Sequence, residues 1–126
     1  MTNETSNLPD RQILPLRGRR VVDITWADEV TFTLDPPGEI TVGDGALFTK
    51  GPVTAPGVDP TLLSQCAKED VLQTVGAEIL SAVAFNSGAL RIVFQHGRHL
   101  NVTSKGTFVS ASVRSGGALT WTRPRA

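Results

Sequence analysis

The stretch Val75-Gly-Ala-Glu-Ile-Leu-Ser-Ala-Val-Ala-Phe85, Asn86-Ser-Gly88, Ala89-Leu-Arg-Ile-Val-Phe94, Gln95-His-Gly-Arg-His-Leu-Asn-Val102 decides the fold, because it holds the densest apolar alternation in the chain and its clearest turns. The runs on either side of Asn86-Ser87-Gly88 are rich in β-branched and aromatic residues and read as a hairpin. In the second run Leu90, Ile92 and Phe94 fall on one face while Arg91 and Gln95 fall on the other, the period of a strand with one wet side. A third strand follows, carrying Leu100 and Val102 at the same spacing. A three-residue loop Gln95-His96-Gly97, with Gly97 left-handed, sets Ile92 opposite Leu100 and Leu90 opposite Val102. A two-residue loop at His96-Gly97 would set Ile92 against Asn101 instead. One buried face specifies register, so the apolar pattern selects the three-residue loop.

An earlier meander has the same design. Val22, Ile24 and Trp26 alternate with Asp23 and Thr25, and Val30, Phe32 and Leu34 alternate with Thr31 and Thr33. A loop at Ala27-Asp28-Glu29 pairs Trp26 with Val30 and Ile24 with Phe32, which keeps the large apolar residues on one face. Asp35-Pro36-Pro37-Gly38 breaks the run, and Glu39 to Val42 forms a third strand. Leu16-Arg17-Gly18 with Val21 matches Val75-Gly76 with Ile79 at an offset of about 58 residues, a pattern that points to internal duplication. Neither three-stranded unit can bury its single apolar face alone.

Gly43 to Gly57 reads as a loop with one short extended piece at Ala46 to Phe48. A helix is expected next: Asp59 suits its N-cap, Pro60 its first position and Gly76 its stop. Leu63, Ala67, Val71 and Val75, with Leu62 and Cys66 beside them, form its apolar stripe, to be laid across the sheet. Phe108 to Val113 and Ala118 to Trp121 read as a last hairpin over Ser115-Gly116-Gly117, with Leu119 and Trp121 both meeting the apolar face. The expected fold class is therefore α+β: two antiparallel β-meanders plus a terminal hairpin, with one amphipathic helix packed on the sheet. Residues 1 to 15, polar and holding Pro9 and Pro15, read as a flexible arm before a single domain over 16 to 126.

The 126 residues include one cysteine, Cys66, so no intrachain disulfide forms. No apolar run approaches the roughly 20 residues of a membrane span, and the start Met1-Thr-Asn-Glu-Thr-Ser6 has no basic or apolar leader, which together lead us to expect a cytoplasmic protein. Net charge is zero, but residues 1 to 63 hold nine acids and five bases, while 64 to 126 hold three acids and seven bases. No acid follows Glu78. Such asymmetry suits an acidic partner, a head-to-tail self-association, or mutual neutralisation inside one fold.

Candidate chemistry is sparse. His96 and His99 could share a metal only with a nearby carboxylate, and Cys66 sits on the expected helical stripe as a core thiol. There is no nucleotide loop, Gly-x-Ser-x-Gly or paired-cysteine signature, so no catalytic residue, cofactor or metal is assigned. Arg17, Arg19 and Arg20 form a basic cluster at a strand entrance, while Arg91, His96 and Arg98 lie on the wet face or beside the loop. These six are the candidate partner-contacting residues. Trp26 and Trp121 are read as core.

Leu16-x-Gly18-x-x-Val21, Asp59-Pro60, Val75-Gly76-Ala77, Gly88-x-Leu90-x-Ile92-x-Phe94-x-x-Gly97-x-x-Leu100-x-Val102 and the closing Gly116-Gly117 with Trp121 resemble a family of small, mostly actinobacterial proteins classified as a domain of unknown function. The resemblance covers most of residues 14 to 122 and implies no activity. Where members usually carry an aromatic and acidic stretch, this chain has Phe108-Val-Ser-Ala-Ser112. The expected role is a non-enzymatic protein-binding or regulatory module, meeting another protein or a second copy of itself; an immunity-like role against a toxin is one version. Nucleic-acid contact through the basic C-terminal half and a small-ligand domain are the alternatives.

Overall fold

The computed structural model describes residues 6–7, 11–43, 45–51, 61–102 and 110–123. The elements run β1 (Ser6–Asn7), β2 (Arg11–Ile13), β3 (Arg20–Trp26), β4 (Val30–Asp35), β5 (Gly38–Val42), β6 (Leu47–Lys50), β7 (Thr61–Leu62), α1 (Lys68–Leu72), β8 (Ile79–Phe85), β9 (Leu90–Phe94), β10 (Arg98–Val102), β11 (Ala111–Ser115) and β12 (Ala118–Arg123). They form two antiparallel sheets. One has seven strands in the order β1-β2-β8-β9-β10-β6-β7, and the other has five in the order β12-β11-β5-β4-β3.

Around their turns both meanders have the register that their alternation requires. Trp26 faces Val30 and Ile24 faces Phe32, while Ile92 faces Leu100 and Leu90 faces Val102. At the start of β3, however, the buried Val21 rather than Val22 faces Leu34, and Val22, expected on the apolar face, is 48% exposed. The loop between β9 and β10 spans Gln95–Gly97, with Gly97 at φ 80° and also His96 at φ 69°. Their inner faces share one core: Phe32, Ile40 and Val42 from the five-stranded sheet lie with Ile79, Ile92, Phe94 and Leu100 from the other, all fully buried. Phe32 and Phe94 stack across the interior with ring centroids 5.7 Å apart.

The two units cross at their starts. Gly18 N–H donates to Ile79 O at 2.8 Å and Gly76 N–H to Val21 O at 2.7 Å; Val21 N–H donates to Ala77 O at 3.0 Å and Ile79 N–H to Arg19 O at 2.8 Å. In each pair, moving the first-unit residue forward by 58 and the second-unit residue back by 58 turns one bond into the other, and the bridge Arg20–Glu78 lies at the centre. Gly18 and Gly76, at φ 87° and 91°, make the same left-handed bend on each side. Each following strand carries a bulge at the same place, leaving Val22 and Leu80 out of register. Beyond the meanders the outer strands are exchanged: β6, which follows β5, pairs with β10 (Phe48 opposite Leu100), and β11, which follows β10, pairs with β5 (Val113 opposite Ile40).

Three further expectations need correction. The amphipathic helix packed on the sheet is not formed: Thr61–Leu62 is a strand paired to β6, Leu63–Gln65 is a 3₁₀ turn, and only Lys68–Leu72 is α-helical. Leu63 N–H donates to Ala46 O at 2.7 Å, so this end of the segment is drawn to the sheet edge. Cys66 and Ala67 are extended, and of the stripe only Leu63 and Val71 are buried, while Val75 is 42% exposed. Sheet pairing here outcompetes a helix whose nucleation carries its own cost. The cap at Asp59-Pro60 lies outside the described residues. Leu119 does not join the core: a bulge between its pairing with Arg114 and that of Trp121 with Val113 leaves it 53% exposed. Within the expected arm, Arg11–Ile13 pairs with β8 and Leu14 is buried, so these residues belong to the sheet.

Phe94→Ala removes a wholly buried ring and its stacking partner's contact, and should lower stability by about 3–5 kcal/mol in a denaturant titration. At Gly97 an added Cβ meets nothing within 4 Å, so only the backbone conformation opposes it. Gly97→Ala should therefore cost about 1 kcal/mol, and an unchanged denaturant midpoint would refute the left-handed loop.

Candidate functional site

Filling the interior with one face of the seven-stranded sheet leaves the opposite face to be read residue by residue. Across it, Ile13, Val83, Arg91, Asn101 and Leu47 are successive neighbours on β2, β8, β9, β10 and β6. The adjoining row holds Ser81, Val93, His99 and Thr49. At the β2 side Arg11 faces Phe85. The Arg11 guanidinium carbon lies 5.4 Å from the Phe85 ring centre and that of Arg91 lies 5.7 Å from it, so one ring holds two cations. Such contacts contribute about 0.5–1 kcal/mol each when exposed.

None of the strands of this sheet contains Asp or Glu, whereas β3, β4 and β5 of the other supply Asp23, Asp35 and Glu39. Strands β8 to β10, which follow Glu78, the last acid in the chain, thus pair with acid-free strands of the first half to make a sheet with no carboxylate of its own.

At the middle of this face two polar side chains are buried without compensation. His99 is 9% exposed and Asn101 7%, and neither His99 Nδ1 nor Asn101 Nδ2 has a hydrogen-bond partner among the described residues. Leaving such groups unpaired costs about 1–3 kcal/mol each. Thr49, opposite His99, is satisfied by donating to Gly51 O at 2.6 Å. Burial lowers the His99 pKa below its ordinary value of 6.5, and the Arg91 charge lowers it further.

The six sequence candidates do not converge. Arg19 donates to Pro37 O at 2.6 Å, and Arg20 reaches Gly76 O at 2.5 Å and Glu78 Oε1 at 2.9 Å, so both brace the crossing. Arg98 donates to Gln73 Oε1 and lies 6.0 Å from the Phe48 ring centre. Arg17 and His96 are exposed at turns, and only Arg91 lies in the outer-face cluster. Cys66 is half-buried against the core, and burial together with Asp70 pushes its thiol pKa up, away from the thiolate that reactivity needs. Trp26, with Lys68 Nζ 5.2 Å from its ring centre, and Trp121 both pack partly against the core.

Sequence reasoning missed Arg11, Phe85, Thr49 and Asn101. For Asn101 a signal existed, since pairing Ile92 with Leu100 and Leu90 with Val102 puts Arg91 opposite Asn101.

These features define a two-sheet antiparallel β protein with one arginine-bearing outer face whose described strands carry no acid. The chain belongs to a family of unknown function, DUF6188, whose profile matches residues 12–120, from β2 into β12. No curated protein and no solved structure matches it.

Because His99 has a depressed pKa in the folded state, the unfolded chain binds its proton more readily. The neutral-His99 contribution to stability is complete above pH 6.5 and is lost as pH falls from there through the lower folded-state value. Denaturant midpoints should therefore drop on acidification from pH 7.5 to about 5.5 in the parent. The drop should shrink in His99→Gln, and also in Arg91→Ala, which removes the second cause of the shift.

Proposed function

We propose that the protein is a cytoplasmic, non-enzymatic binding module that docks an acidic protein partner on the outer face of its seven-stranded sheet. The observation that carries this reading is the pairing of Arg11 and Arg91 on Phe85 within strands that contain no carboxylate. Guanidiniums held on a ring are partly pre-organised, so less side-chain freedom is lost when a carboxylate arrives. Charge complementarity of this kind sets partner choice and association rate more than raw affinity. The free thiol of Cys66 fits a reducing compartment. The bonds repeated at an offset of 58 support descent from two copies of one meander unit.

Nucleic acid is the second reading, favoured by an aromatic ring set between two arginines. The acids on the opposite sheet and the zero net charge weigh against it, because they remove long-range attraction for a polyanion.

Capture from a native cell lysate on immobilised parent protein, Arg91→Glu and Arg114→Glu, followed by mass spectrometry, tests the proposal. The expected result is an acidic protein retained by the parent and by the Arg114→Glu control but lost from Arg91→Glu. Equal retention on all three overturns it. Duplex DNA binding with a dissociation constant of about 10⁻⁶ M that weakens steeply with salt and fails in Arg91→Glu would replace it with the second reading.

A further inference from the structure

Three groups on the outer face of the seven-stranded sheet have hydrogen atoms to give. Asn101 Nδ2 carries two, the Arg91 guanidinium carries five, and His99 Nδ1 carries one in the protonated ring. Arg91 sits directly opposite Asn101, and His99 is two residues before Asn101 on the same face of β10. His99 and Asn101 are more than nine-tenths buried, and each has a nitrogen with no partner among the described residues. A fold rarely retains two such atoms side by side unless something else satisfies them. Building on the docking face proposed above, the geometry points to a carboxylate subsite formed by Arg91, His99 and Asn101, which receives one Asp or Glu side chain of the acidic partner.

The ligand class follows from the donors. A neutral amide or hydroxyl would leave the Arg91 charge uncompensated, whereas a carboxylate accepts from the guanidinium and from both orphaned nitrogens. Among the described residues the exposed Arg91 guanidinium is held only by Phe85, at 5.7 Å, so it can leave the ring for an arriving oxyanion beside Asn101, its partner across the strands. The groups that face His99 from neighbouring strands are Val93 and Arg91 on β9 and Thr49 on β6, with no acid among them. An incoming carboxylate therefore supplies a negative charge that these facing residues lack. It favours the imidazolium, so binding should strengthen as pH falls toward the depressed titration range of His99.

The chain has two histidines, and exposed His96 serves as an internal reference for His99. Imidazole resonances followed by NMR during titration with a hexaglutamate peptide, its hexaglutamine counterpart and inorganic phosphate provide the test. Hexaglutamate should shift the His99 ring and raise its titration midpoint, leaving His96 in place, while hexaglutamine does neither. Arg91→Ala should weaken hexaglutamate binding about tenfold or more. Asn101→Leu should also weaken it while raising the thermal midpoint, because an unpaired buried amide is replaced by an apolar group; an Asn with a purely structural role would leave binding unchanged. No His99 shift at millimolar hexaglutamate overturns the subsite, and so does a response to phosphate alone, which would assign it to a free anion. Partner capture that is lost in Arg91→Glu but intact in Asn101→Leu also overturns the subsite while leaving the docking face standing.

Discussion

Everything in this molecule depends on the fact that each meander is apolar on one side only. A three-stranded sheet with Val30, Phe32, Leu34, Ile40 and Val42 on one face has nowhere to put them except against a second such face. Four main-chain hydrogen bonds between residues 18–21 and 76–79 place the two units against each other. Because these bonds are between backbone groups, they set the approach without depending on side-chain identity. The side chains that matter at the junction, Arg19 and Arg20, secure loops on either side of it. Phe32 and Phe94 then fill the middle.

With the inner faces committed, the outer faces carry whatever individuality the protein has. The two differ in kind. On the five-stranded sheet Thr25, Thr31, Thr41, Ser112 and Thr122 line up across all five strands, a row of small hydroxyls flanked by Asp23 and Glu39. Such a row is self-sufficient: Thr31 and Thr41 are within hydrogen-bond reach at 3.1 Å, and Thr122 donates to Ala111 O. The seven-stranded sheet instead keeps long cations at one side and leaves two buried nitrogens unserved in its centre. Local rules of polar satisfaction are broken on one face and kept on the other, and breaks of this kind concentrate where a protein works.

The meanders were legible in the sequence because period-two alternation and a short turn jointly determine register. Moving Ile92 from Leu100 to Asn101 would have turned a whole strand inside out, so the sequence tolerates one answer. What was not legible came from distance. Leu47–Lys50 is a brief extended piece with no turn joining it to β10, and nothing local announces that it pairs there. The stripe Leu63, Ala67, Val71, Val75 satisfies helical spacing, yet a strand edge available at Leu47 and the burial of Leu63 beside Ala46 defeat it. At the candidate site, the opposition of Arg91 and Asn101 was implicit in the register. The isolation of the Asn101 amide was not, since it depends on what neighbouring strands fail to offer.

The exchange of outer strands has a consequence for how the chain can come apart. Each sheet is completed by a hairpin that belongs, in sequence, to the other half: β6 and β7 close the sheet built on β8 to β10, and β11 and β12 close the one built on β3 to β5. The arrangement is that of two interlocked subunits joined into a single polypeptide. Neither half retains a complete sheet when the other is lost, so partial unfolding of one destroys both, and the molecule has no stable half-folded refuge. The pairings that lock it, Phe48 with Leu100 and Val42 with Ala111, join residues far apart in the chain. They form only after long segments have been brought together, which places this protein among slowly assembling, high-contact-order folds. The same interlock that delays assembly makes escape from the finished state a single, concerted event.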